Sequence, residues 1–216
     1  MTVDNPELEV IKRKTLRAGE LAKRSIQMSV DAILFRDPSL CNHVGDIERE
    51  VDFLNVDVEE SCLKVLSLGN LSERTFRLAA TLIDVSSRFE RITDLGSEIC
   101  DYFKRGLPKP LLKPFLDLQK MNEAVHEMID IDLRALSKDL TVSVEEMKNK
   151  QGDMVTHYEA IYRDIVSYVH QHPASFDDAI LMVSILGNLV RIGELAMKIG
   201  NRIIYIVEDR RIWLDQ

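Results

Sequence analysis

Asp84–Phe103 reads DVSSRFERITDLGSEICDYF, and Ile185–Ile203 reads ILGNLVRIGELAMKIGNRI. Arg91-Ile92 of the first stretch falls on Arg191-Ile192 of the second, one hundred residues on. The apolar seam of the first is Val85, Phe89, Ile92, Gly96, Ile99 and Phe103. The second carries Ile185, Leu189, Ile192, Ala196, Ile199 and Ile203 at the same offset. Steps of four and three keep one stripe on one face of a helix. A long amphipathic helix that recurs at this separation marks a duplicated helical unit.

Outward from these two helices the same stepping continues. A first helix is expected from about Pro6, which suits a first turn, to Phe35. Asp37-Pro38 ends it, because the residue before proline avoids the helical region. A second runs from about Pro38 to Leu68 with the seam Leu40, Val44, Ile47, Val51, Leu54, Val58, Cys62 and Val65, and Gly69 suits its C-terminus. The third opens at Asn70, where Asn70-Leu71-Ser72-Glu73 has the form of a capping box, and continues to about Lys104. Three prolines, Pro108, Pro110 and Pro114, then mark the one boundary between units. Helix four is expected from about Leu112 to Leu140, and helix five from the capping box at Ser143 to His172-Pro173. Helix six runs from Ser175, with Asp178 completing its box, to about Glu208, followed by a tail with Trp213. The fold class is all-α: two tandem three-helix bundles, residues 1–106 and 107–216.

Composition excludes several roles. A net charge of −8 repels phosphate backbones, so nucleic acid is a poor partner. The N-terminus MTVDNPELEV has no apolar segment of a signal peptide. No run of about 18 apolar residues occurs, so no segment is expected to span a bilayer. Cys41, Cys62 and Cys100 are odd in number and far apart in sequence, with no CxxC, and read as buried free thiols of a cytoplasmic protein. No phosphate loop, nucleophile elbow or zinc-protease motif is present, and the chain is read as non-catalytic.

The charged residues are patterned too. Helix two carries Glu48, Asp52, Asn55 and Glu59 beside its seam, and helix three carries Glu90, Asp94, Glu98 and Asp101. Like charges four apart destabilise a helix by about 0.2–0.5 kcal/mol per pair. Facing stripes on neighbouring helices would repel further, and a cation between them removes that cost. Carboxylates without cysteine suit Mg²⁺, Mn²⁺, Fe or Ca²⁺. The alternative is a solvated acidic surface, the ordinary fate of such residues. In the second repeat Glu194 replaces Asp94, but Val190 replaces Glu90, Lys198 replaces Glu98, and Val155 stands for Asp52. His157 and Glu159 are the nearest polar residues, which leaves at most a weaker second site at Glu194 and His157. Glu123-Ala124-Val125-His126 is the one ExxH; a di-iron bundle needs two, so His126 is read as a surface residue.

RFERITDLGSEIC, its echo LVRIGELAMKIG, the helix-two segment VDFLNVDVEESC and the junction RGLPKPLLKPFLDLQKM together resemble the PhoU family of phosphate-uptake regulators over nearly the whole chain. The resemblance implies tandem three-helix bundles with a multinuclear metal cluster (Fe, Zn, Mn or Mg) at E/D-x-x-x-D motifs. Glu90 and Asp94 match that motif fully; Asp52 and Glu59 match positions of helix two, with Asn55 where an acid is often found and Glu98 as a further contributor. It also implies a negative regulator in the cytoplasm, peripheral to the membrane at most. Its partners would be the ATPase subunit of a phosphate ABC transporter, a sensor histidine kinase, or both, and a homodimer is compatible with it. The competing readings are a PhoU-domain adaptor of another, cation, transporter, a helical adaptor whose acids are only surface, and a di-iron-type bundle enzyme.

Overall fold

The computed structural model describes residues 6–106 and 115–208. The proline-rich junction Leu107–Pro114 and the tail with Trp213 lie outside them. Six long helices carry the chain: α1 Pro6–Phe35, α2 Ser39–Ser67, α3 Glu73–Arg105, α4 Phe115–Lys138, α5 Val144–Gln171 and α6 Phe176–Glu208, with a 3₁₀ turn at Pro173–Ser175. No strand occurs among the described residues. α1, α2 and α3 pack on one another, as do α4, α5 and α6. The two bundles then meet along α3 against α6 and α1 against α4.

The repeated seams face inward. Val85, Phe89, Ile92, Gly96 and Ile99 are buried, and so are all six seam residues of α6. Full burial of side chains such as Phe89 and Ile92 contributes about 1.5–3 kcal/mol each. Their apolar surroundings form one continuous core running through both bundles. Gly19 is why α1 can reach that shared core. A Cβ there would lie 2.6 Å from a Leu133 methyl of α4 and 2.7 Å from the Phe89 ring of α3.

Polar ties reinforce the contact between bundles. Lys12 reaches Asp139 at 2.6 Å, Lys23 reaches Asp130 at 2.5 Å, and Asn122 donates to Gln27 at 3.0 Å. On the other side Asp84 accepts from Arg88 of its own helix and from Arg202 of α6, at 2.9 and 2.8 Å.

Helix ends follow side-chain chemistry, with two corrections to the sequence reading. Ser143 caps α5, its hydroxyl accepting from Glu146 N–H. The cap of α3 is Ser72, which accepts from Thr75 N–H, and not Asn70. Gly69 and Asn70 both adopt positive φ, +69° and +51°, to turn the chain, and Ser72, in the extended conformation, supplies the cap. Ser175 does not cap α6 as a box with Asp178; its hydroxyl donates to the His172 carbonyl within the 3₁₀ turn. His126 is also not a surface residue. Its Nε2 is buried without a hydrogen-bond partner, because α1 lies against that face of α4.

The three cysteines are free and buried, but Cys41 and Cys100, remote in sequence, meet in a small separate cluster with Ala32 and Val44. α6, with the turn before it, is the one described helix long and apolar enough to cross a bilayer, where the sequence reading expected none. Its apolar content is spread along the helix rather than in one run, and half of the most apolar window is core against α3, α4 and α5.

Candidate functional site

α2 and α3 are consecutive helices joined by a short turn, so their polar faces lie side by side in opposite directions. The Ser97 hydroxyl of α3 donates to Glu48 of α2 at 2.6 Å and fixes the register. Further along that face Asp52, Glu90 and Asp94 converge: one carboxylate oxygen of each lies within 4.8 Å of the others. Four-residue spacing puts Glu90 and Asp94 on the same side of α3, one turn apart. Among the described residues this is the one group of three His, Cys, Asp or Glu so arranged.

The electrostatics of the group are those of confined like charges. Glu90 and Asp94 are half-buried and Asp52 exposed. Burial first, then the charges of Asp94 and Asp52, raise the Glu90 pKa above the usual carboxylate value. Partial burial, then Asp94, does the same to Asp52. Arg91 offsets part of this, reaching Asp94 at 3.0 Å and Glu98 at 3.6 Å. Three convergent carboxylates, two of them resisting ionisation, are the donor set a hard divalent cation neutralises. The residues present therefore fit a metal.

The other expected ligands stand apart from this group. Glu98 turns toward α6, where Asn188 donates to it at 3.1 Å. Glu59 is exposed and two turns along α2 from Asp52, and Asn55 is half-buried between them. Glu48 and Arg91 are the side chains that a ligand set drawn from motif matching left out. Glu48 is signalled by its place four residues before Asp52, and Arg91 by its place three before Asp94.

The second repeat has a groove in place of the acidic group. It lies between α5 and α6 and is lined by Val155, Tyr158, Glu159, Val190, Arg191 and Glu194, among others. Val155 and Val190 occupy the positions of Asp52 and Glu90, so two apolar side chains replace two anions. His157 does not line the groove; Glu159 does.

The profile of the family described as PhoU domain matches residues 15–103 and again residues 118–203. A phosphate-specific transport system accessory protein PhoU homolog of Archaeoglobus fulgidus is 30% identical over 207 residues, 95% of each chain. Another so named, of Deinococcus radiodurans, is 25% identical over 95% of this chain and 96% of its own. The crystal structure of PhoU from Pseudomonas aeruginosa superposes with a TM-score of 0.84 at 21% identity, covering 94% of this chain and 98% of that one. That of the phosphate transport system regulatory protein PhoU from Streptococcus pneumoniae gives 0.83 at 16% identity, over 95% and 97%.

Proposed function

The chain belongs to the PhoU family, and on that premise we propose that it is an accessory regulator of a phosphate transport system, with one repeat at residues 1–106 and the other at 107–216. It restrains phosphate uptake from the cytoplasmic side, docking on the ATPase subunit of a phosphate ABC transporter, on a sensor histidine kinase, or on both. It works through contacts and not turnover: the site gathers carboxylates and an arginine, and its Ser97 hydroxyl is taken up in tying α3 to Glu48 of α2.

The observation that carries the metal half of this reading is the convergence of Asp52, Glu90 and Asp94 on the first repeat. These three would hold a divalent cation, with Glu48 beside them. A cation bound there would supply charge neutralisation across the facing helices α2 and α3. What the chain itself contributes is the register set by Ser97 and Glu48, and the Arg91 contact that keeps Asp94 turned to this face. Metal binding competes with protons at Asp52 and Glu90, so occupancy falls as pH drops.

Deleting the gene is expected to derepress phosphate uptake at high external phosphate, and the intact gene on a plasmid to restore control. Unchanged uptake in the deletion strain would overturn the regulatory reading and favour a role at another transporter.

A further inference from the structure

Cys41 sits in the first turn of α2 and Cys100 near the last turns of α3. They are 3% and 1% exposed and share a small apolar cluster with Ala32 and Val44, walled by Met28, Leu40 and Phe103 and separate from the main core. We propose that Cys41 and Cys100 are a redox-modifiable dithiol, closed by a hydroperoxide to a disulfide that fastens the start of α2 to the end of α3. The assignment is independent of the carboxylate site, which lies further along the same two helices.

The two thiols do not have equal roles. The Cys100 S–H, paired with Cys41, lowers the Cys41 pKa, with burial opposing and Lys104 helping. Asp101 and Asp37 also face Cys41 and oppose its ionisation. The Cys41 pairing, with burial, pushes the Cys100 thiol far up, against the Ser29 hydroxyl and Lys104. Position points the same way, since the N-terminal turn of a helix favours a thiolate. Access follows from the same position. The start of α2 is held by the Asp37 carboxylate, which accepts from the Ser39 N–H at 2.9 Å, and Cys41 becomes reachable when this terminal turn opens, since helix ends open at little free-energy cost.

The chemistry balances with the peroxide as sole oxidant. The Cys41 thiolate attacks one peroxide oxygen; an S–O bond forms, the O–O bond breaks, and hydroxide leaves. Cys100 gives its proton to that hydroxide and its sulfur displaces the second hydroxyl from Cys41. The S–S bond forms, the S–O bond breaks, and a second water is completed with a proton from solvent. Two thiols lose two electrons in all, and one hydrogen peroxide becomes two waters. Cys62 takes no part: it is fully buried on another stretch of α2, and burial holds its thiol up at about 12.

The test is stoichiometric hydrogen peroxide on the full-length protein, read by intact mass and by a non-reducing peptide map. The expected product has lost two hydrogens, links the Cys41 and Cys100 peptides, and reverts with dithiothreitol. C41A and C100A should each abolish the loss, while C62A keeps it. Three free thiols under conditions that fully oxidise a reference dithiol peptide would overturn the proposal. So would oxygen added at Cys41 without a link, or a link that takes Cys62. The wild-type map decides this even where a variant fails to fold.

Discussion

Two ionisable side chains on α4 bury polar atoms without a partner, and they tilt stability in opposite directions with pH. His126 is held neutral by burial, and secondarily by Lys23, so that its pKa falls from 6.5 to about 4. Below 6.5 the unfolded chain takes up a proton that the folded chain refuses, so stability drops as pH falls from 6.5 toward 4. Asp132 is fully buried with both carboxylate oxygens unpaired, and desolvation raises its pKa well above 3.8. Here the folded chain holds the proton and the unfolded chain releases it, so stability drops as pH rises above 3.8. Each effect is on the order of 1 kcal/mol per pH unit. From about pH 4 upward the two slopes therefore oppose each other, His126 favouring the folded chain as pH rises toward 6.5 and Asp132 disfavouring it. Urea unfolding at several pH values should show Asp132→Asn removing the loss of stability that sets in as pH rises above 3.8; a pH dependence unaltered by the substitution would refute the assignment. At the carboxylate site the same residue-level reasoning predicts asymmetry. Glu90→Ala with Asp94→Ala should remove most metal from protein purified without chelator, measured by elemental analysis. Glu194→Ala, facing Val155 and Val190, should remove little, and equal losses from both variants would show that the repeats share the work.

Replacements of three helix glycines, Gly19, Gly193 and Gly152, should rank by what a Cβ at each would meet. A Cβ at Gly19 strikes Phe89, a fully buried ring with nowhere to go, and Leu133. Overpacking there costs about 1–3 kcal/mol, more than the up to about 1 kcal/mol that alanine contributes through helix propensity. At Gly193 the obstacle is the end of Met154, 2.5 Å away but flexible, and at Gly152 there is open space. Urea midpoints are therefore expected to fall for Gly19→Ala, change little for Gly193→Ala, and rise for Gly152→Ala. A stabilised Gly19→Ala would mean that α1 and α4 are not closely packed. The helices themselves were legible because period-3.6 stripes are local: Val85 to Ile99 and Ile185 to Ile203 announce their buried faces. Two of the three site carboxylates were legible for the same reason, as an i,i+4 pair, and Asp52 came from the facing stripe. The rest depended on contacts between bundles. Nothing near Glu98 in sequence says that Asn188 will claim it, and nothing near His126 says that α1 will cover it. The Cys41–Cys100 meeting is likewise a matter of register between two helix ends.

At the scale of the whole molecule, the two repeats share one apolar core and are cross-tied by Lys12–Asp139, Lys23–Asp130 and Asp84–Arg202. Thermal unfolding should accordingly be a single cooperative transition with equal calorimetric and van't Hoff enthalpies. Two resolved transitions would show that the repeats unfold separately. The shared core also accounts for α6, whose apolar length is spent on α3 as well as on its own bundle.

That seam between repeats has the character of a subunit interface whose two partners happen to be expressed as one polypeptide. Cutting the backbone between Gly106 and Phe115 would remove none of the buried contacts described across it. It would turn an intramolecular equilibrium into a bimolecular one, and the loss would be the millimolar-order effective concentration that a short tether supplies. Co-expressed halves are then expected to find each other and co-purify as an equimolar pair, each unstable when produced alone.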